Sequence, residues 1–322
     1  MPRLLWPNWA LFRWNKPDTG TVEKEPIKRT WQESLMERTI RVTGVSAIVI
    51  VGLILLFLIR EAAPALVQVT PAELLADRWY PVEGYYGLVP LILGTLLVTV
   101  GAAAIALPAG LATAIFIAEI VPRWARDLLK PLVEVLAGIP SVVLGFIGIL
   151  VLAPLVRRFA GAPTGLTALT GSLLLALMAL PTIVSVAEDA IDAVPASYRN
   201  AALALGATRW QTIWRVVVPA ARTGVLTGMM LGVGRAIGET MAVMMVTGNA
   251  ARIVTGPADL FLPVRTMTAT IAAEMGEVAQ GSTHYHLLFV IGFALFLISF
   301  VVNLAAAAVV FRQTKRSERV MS

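Results

Sequence analysis

Six apolar runs govern what this chain can fold into. They cover 42–59, 88–120, 132–155, 166–186, 225–246 and 287–311. A bilayer core of about 30 Å takes roughly 20 apolar residues as a helix, and each run comes close to that length or exceeds it. Only 14% of the 322 residues are charged and 57% are hydrophobic. A soluble domain carries about 25% charged residues. In water this chain would expose large apolar patches, whereas helices in lipid satisfy every backbone polar group internally. The pattern predicts an all-α polytopic membrane protein with six transmembrane helices. The second run would extend about 50 Å as a helix, too far for one simple crossing, so Pro108 and Gly110 mark an expected bend.

The charges between the runs give the topology. Of the 26 Lys and Arg, 19 lie in 1–41, 121–131, 193–222 and 312–322, and 6 lie in 60–87, 156–165 and 247–286. Positive residues collect on the cytoplasmic side. This predicts a cytoplasmic N-terminal tail over 1–41 and an anchor helix over 42–60. An extracytoplasmic loop over 61–87, a core over 88–311 and a cytoplasmic C-terminal tail over 312–322 follow. The tail before the first run is too long and too polar for a signal peptide, so that run reads as a retained anchor. The net charge of +6 is then a matter of topology, with no nucleic-acid partner implied. Trp6, Trp9 and Trp14 fit either a membrane-interface belt or an unstructured tail.

Several chemistries drop out. There is no cysteine, hence no disulfide and no thiolate metal site. His284 and His286 sit in a polar segment without nearby ligand partners and read as solvated loop residues, so no metal site is expected. No G-x-x-x-x-G-K-[ST] phosphate loop occurs, and no nucleophile–base constellation suggests catalysis.

The loop 193–222 has a definite design. Residues 197–205 are helix-prone and end at Gly206, the residue type that tolerates a left-handed cap. Thr208 and Gln211 then form a capping box for a second helix, which Pro219 is expected to end. Helix, tight turn, helix is an elaborate construction for a connector.

The fifth run places two charges inside the membrane. Arg235 and Glu239 are four residues apart, on one helical face and able to pair. Gly224, Gly228 and Gly232 fall within about 80° of them on a helical wheel. Small residues let a second helix approach closely, so this face is expected to meet protein or a watery path. Either the pair locks helices together, or it serves function, as intramembrane ionisable residues do by default. A guanidinium fork matches an oxyanion bidentately, with Glu239 holding Arg235 until an anion arrives. Gly232–Gly238 only approximates a dinucleotide fingerprint and lies in a span, so that site is rejected. Pro140 and Ser141 are expected to break the third helix and offer amides to an anion. Ser141 and Thr240 are thereby candidate path residues. Glu188, Asp189 and Asp192 form either a solvated interface or partners for loop arginines such as Arg199. Glu119 and Glu134 are expected to face water or a partner subunit.

The loop resembles the cytoplasmic signature of ABC importer permeases, E-A-A, three residues, Gly, nine residues, Ile-x-Leu-Pro. Ala201, Ala202, Gly206 and Pro219 occupy matching positions. Asn200 replaces the usual Glu, and Val216 and Val218 replace Ile and Leu. The stretches GRAIGETMAV at 234–243, GIPSVVLG at 138–145 and LPTIVSVAEDAIDAVP at 180–195 resemble the phosphate-specific (Pst) branch of that family. Met241 after the Thr is similar to its C-type subunit. The resemblance covers roughly 88–311. It implies a type I ABC importer permease (MetI-like) fold and a non-catalytic inner-membrane subunit. It also implies a coupling helix in 193–222 through Asn200, Ala201, Ala202, Gly206, Thr208 and Pro219, and a role for Arg235 and Glu239 in moving phosphate. The implied partners are a PstA-like permease, two PstB-like ATP-binding subunits that hold the ATP, and a PstS-like phosphate-binding protein. Sulfate or molybdate permeases and the A-type paralogue are the nearest alternatives. A stand-alone secondary transporter would show internal repeats, and none is visible. For an intramembrane enzyme, an Arg/Glu pair is poorly suited to hydrolysis.

Overall fold

The computed structural model describes residues 31–161 and 164–321. Trp6, Trp9 and Trp14 lie outside the described residues. The chain divides into two units, 1–54 and 55–322. The first helix, α1, runs Trp31–Gln68, so the last part of the expected N-terminal tail is already helical. Glu37 and Arg41 pair one turn apart at 2.5 Å there, and the Thr39 and Thr43 hydroxyls bond back to the preceding turn. The short helix α2, Pro71–Leu74, and the strands β1, Trp79–Tyr80, and β2, Tyr85–Tyr86, form a small antiparallel hairpin region. Helix α3, Val89–Ile115, continues through a widened π-turn to Ile120.

Helix α4, Arg123–Ala137, then stops, and α5, Ser141–Ile147, joins α6, Ala153–Ala160, through a second π-turn. This corrects the expected third span at 132–155. The membrane-length helix is Ser141–Ala160, and α4 is a separate amphipathic piece. Pro140 has no amide proton and its ring disfavours a helical residue before it, so the break falls where proline and Gly138 occur together.

Next come α7, Ala168–Asp192, α8, Ala196–Ala204, and α9, Arg209–Thr212. A third π-turn leads from α9 into α10, Val218–Gly238. Pro219 does not end the helix, contrary to expectation: 209–238 is one continuous helix. The π-turn bonds Val218 N–H to the Ile213 carbonyl, five residues back. Such local widening accommodates the backbone around a proline that lacks a donor. Helices α11, Met241–Val246, α12, Met267–Glu274, and α13, Thr283–Met321, complete the chain. The backbone of the expected C-terminal tail extends α13. Among the described residues six helices are long and apolar enough to cross a membrane, as the sequence predicts.

Helices α3, α7 and α10 pack as a trio. Their seams use small residues. A Cβ added at Gly224 would meet Ala190, one at Gly232 would meet Ile183, and one at Gly228 would lie 3.2 Å from the α7 backbone. The glycine face read from the sequence thus seats α10 on α7, and dispersion contacts between closely placed backbones hold it there. At one end, Trp79 is buried with Leu91, Leu287, Leu288 and Ile291. Its Nε1 donates to Glu274, which also binds Arg265 at 2.6 Å and His284 at 2.8 Å. His286 Nδ1 contacts the Glu61 carbonyl at 2.7 Å. Both histidines start α13 and are partly buried, which corrects their reading as solvated loop residues. The apolar cluster around Trp79 draws the start of that helix inward.

Candidate translocation site and docking loop

Arg235 lies near the end of α10. Its Nη1 donates to Thr182 Oγ1 of α7 at 3.3 Å and its Nη2 to the Ala137 carbonyl at the end of α4 at 3.4 Å. Three elements therefore meet at the guanidinium. Among the described residues no carboxylate pairs with it. A guanidinium has five N–H donors, so two long bonds to neutral acceptors leave most of its capacity open.

Glu239 does not pair with Arg235. The fifth span breaks at Glu239, which is extended (φ −69°, ψ 130°) and ends α10. Its carboxylate instead accepts from the amides of Thr240 at 3.1 Å and Ala242 at 3.4 Å. Its carbonyl accepts from Thr268 Oγ1 at 3.1 Å. The four-residue spacing pairs side chains only while a helix is continuous. Here a carboxylate that caps local amides removes the helix on which the pairing rests. Thr240 bonds back to the Gly238 carbonyl, inside the break. Ser141 opens α5, four residues beyond Ala137. The sequence did not single out Ala137 or Thr182. One acts through its backbone and the other is a hydroxyl in an apolar span, so neither carries a pattern.

In the loop 193–222 the glycine turn and the capping box match their reading, whereas Pro219 lies inside a continuing helix. Helix α8 ends in a Schellman motif. Ala207 N–H bonds to the Ala202 carbonyl at 3.1 Å and Gly206 N–H to the Leu203 carbonyl at 3.0 Å. Gly206 takes φ +83°. The Thr208 N–H donates to Gln211 Oε1 at 2.9 Å, while the Gln211 N–H donates to Thr208 Oγ1 at 3.3 Å. Asn200, Ala201 and Pro219 are exposed and Ala202 is buried. Tyr198, Ala201, Leu205, Ala207, Gln211 and Val216 line a mostly apolar groove, and Leu205 is 90% exposed on its rim.

The loop's anchor is Arg199. It binds Glu119 Oε1 through Nε at 2.9 Å and Nη2 at 2.7 Å, the Ile191 carbonyl at 2.9 Å and the Val194 carbonyl. Glu119 is thus a partly buried partner of Arg199 within this chain, which corrects its reading as facing water or a partner subunit, whereas Glu134 is exposed as expected. The acidic cluster is also not the partner of Arg199. Glu188, buried at the end of α7, contacts Arg126 and Lys130 of α4, and Lys130 Nζ also reaches Asp189 at 2.5 Å. Asp192 binds Arg126 at 2.9 Å. The α4 basic residues face α7 because that helix turns its polar side inward. Hydrogen bonds that Lys130 donates to Asp189 foremost, and then to Glu188, push its ammonium well above the usual lysine range.

Between α11 and α12, Asp259 accepts from the amides of Thr255 and Gly256. The Thr255 amide foremost holds its carboxyl below the usual carboxylate range. A depressed native pKa stabilises above the unfolded value and is lost as pH falls through the native one. Asp259→Asn is therefore expected to remove an acid-side fall in thermal midpoint that the unsubstituted protein shows. Identical pH profiles for the two would refute this.

Among the described residues, six apolar helices, a broken span whose arginine has no carboxylate partner, and a capped helix–turn–helix loop mark a polytopic helical membrane protein. The chain belongs to the family of binding-protein-dependent transport system inner membrane components, which matches residues 106–315. It is 43% identical over 235 residues to the probable ABC transporter permease protein YqgH of Bacillus subtilis, covering 72% of this chain and 75% of that one. It is 36% identical over 304 residues to the phosphate transport system permease protein PstC of Mesorhizobium japonicum, covering 88% and 92%. The PstC of Haemophilus influenzae is 32% identical over 316 residues, covering 92% and 99%. Among solved structures, a bacterial alginate ABC transporter chain superposes with TM-score 0.58 at 15% identity, covering 87% of this chain and 96% of that one. A chain of the inward-facing MetNI methionine ABC transporter gives TM-score 0.55 at 18% identity, covering 73% and 99%. The fold is that of the ABC importer permeases.

Proposed function

We propose that this chain is a membrane-spanning permease subunit of an ATP-driven phosphate importer, with both termini cytoplasmic. The observation that carries the anion site is Arg235, a cation in a membrane-spanning helix whose partners among the described residues are the Thr182 hydroxyl and the Ala137 carbonyl. An uncompensated charge there is costly, and an oxyanion is the ligand that offsets it through the guanidinium fork. The PstC relatives at 32–36% identity support phosphate as that oxyanion. Glu239 shapes the break beside the arginine, and Ser141 and Thr240 belong to the same path.

The working unit comprises a paralogous PstA-like permease, two PstB-like ATPase subunits that bind the ATP, and an extracytoplasmic PstS-like phosphate-binding protein. Helix α8 and the groove behind it dock the ATPase. ATP-driven closure of the ATPases moves the docking loops together and opens the path outward to receive phosphate. Hydrolysis resets it inward. The test is reconstitution of the five-polypeptide complex in proteoliposomes. Labelled phosphate is expected to enter only with ATP and binding protein present. Entry without the ATPases, or preferential entry of sulfate or molybdate, would sink this reading.

The docking loop has its own test. A Cβ at Gly206 meets open space, so the penalty of Gly206→Val is the left-handed backbone, about 1–2 kcal/mol. That strain opens the turn between α8 and α9. ATPase co-purification is expected to fall, or hydrolysis to run without transport. Full coupling in the variant would argue against docking there.

A further inference from the structure

Helix α4 connects two features that lie at opposite ends of it. Arg126, Lys130, Val133 and Ala137 recur at helical spacing and form one stripe. At one end of the stripe, Arg126 and Lys130 surround the buried Glu188 and bind Asp192 and Asp189 of α7. At the other end, the break at Gly138–Pro140 takes the Ala137 carbonyl out of the helical ladder, and Arg235 Nη2 occupies it. Between the ends, Val133, Leu136, Ile139, Leu180, Pro181 and Val184 line an apolar cleft. Charge therefore fastens α4 to α7 at one end, and the rest of the contact is loosely filled.

The fastened end is also where the docking loop attaches. The last turn of α7 runs through Pro195 into α8, and Arg199 of α8 grips the Ile191 and Val194 carbonyls. A displacement of α8 thus moves the turn that carries Glu188, Asp189 and Asp192. A buried ion cluster is a poor source of net stability, because desolvation offsets the attraction. Its directional bonds do fix the position of one helix against another.

We infer that Glu188, Arg126 and Lys130 are positioning residues: their clamp sets α4 so that the Ala137 carbonyl holds the guanidinium of Arg235, and it carries movement of α8 to that cradle. The inference rests on reading Arg235 as the anion-handling residue and α8 as the docking helix.

The experiment compares Lys130→Met, Lys130→Arg and Arg235→Gln in the complete complex in proteoliposomes. It reads subunit co-purification, kcat and KM for phosphate uptake, and ATP hydrolysed per phosphate. Lys130→Met is expected to assemble, to hydrolyse ATP and to lower the uptake kcat about tenfold, within the range found for coupling-network substitutions. ATP used per phosphate rises in step. Lys130→Arg, which keeps charge and donors, restores both. A purely structural role would lower assembly and leave the ATP-to-phosphate ratio unchanged. Wild-type kcat in Lys130→Met together with inactive Arg235→Gln would overturn the clamp and leave the anion site standing. Normal uptake by Arg235→Gln would overturn the anion site itself. Should Lys130→Met fail to assemble, Val133→Phe keeps the charges and wedges α4 from α7. It is expected to lower kcat likewise, and wild-type uptake by it would overturn the clamp.

Discussion

Arg235→Gln is expected to lower ATP-driven phosphate uptake by about ten- to a hundredfold. A hydrogen bond to a charged group contributes about 1.5–3 kcal/mol, and about 1.4 kcal/mol is a factor of ten in rate. Glutamine keeps the aliphatic stem and an amide donor on the same face of α10, so packing where α4, α7 and α10 meet is largely kept. What disappears is the positive charge and the fork. Arg235→Lys restores charge without the fork and is expected to fall between the two. The measurement is initial uptake in proteoliposomes, with subunit stoichiometry as the control for assembly. Unchanged uptake would reduce Arg235 to a packing residue.

Glu188→Ala is expected to cost about 3 kcal/mol in stability, the lower end of the range for removing one member of a buried ion pair. The lower end applies because Arg126 and Lys130 are 23% and 37% exposed and regain some water, whereas Glu188 is only 2% exposed. Its loss leaves two cations side by side over the end of α7. The alkaline response supplies a second readout. Lys130 is raised above its unfolded pKa, so its contribution is complete below the ordinary lysine value and is lost as pH rises through the native one. Without Glu188 the native value falls toward the unfolded one, so that loss is expected to be smaller and to finish at lower pH. The thermal midpoint in detergent, followed from neutral to alkaline pH, checks both effects. A midpoint equal to that of the unsubstituted protein would show that the cluster does not hold α4.

The Gly206 turn and the Thr208–Gln211 box were legible because each is closed by neighbours within a few residues, where spacing alone fixes geometry. That the glycine face of α10 meets protein or a watery path was legible too, since small residues admit a close neighbour, but that the neighbour is α7 was not. The Arg235–Glu239 pair was misread because a helical wheel assumes an unbroken helix. At the break the Glu239 carboxylate caps the amides just beyond it, and Thr268, far along the chain, donates to the Glu239 carbonyl. The acid that Arg199 binds was not legible for a similar reason. Glu119 and the α7 cluster are both acidic residues at the same end of the molecule, and only packing decides between them.

The sequence by itself determined the solvent, the count of spans and the design of the docking loop. Those properties follow from transfer free energy and local hydrogen bonding, which are summed residue by residue. The tertiary structure alone decided that α4 stands apart from the third span, that Glu188 binds α4 and not the loop, and that Arg235 rests on a hydroxyl and a carbonyl. Those contacts join residues tens of positions apart, and a backbone carbonyl leaves no trace in the identity of its residue.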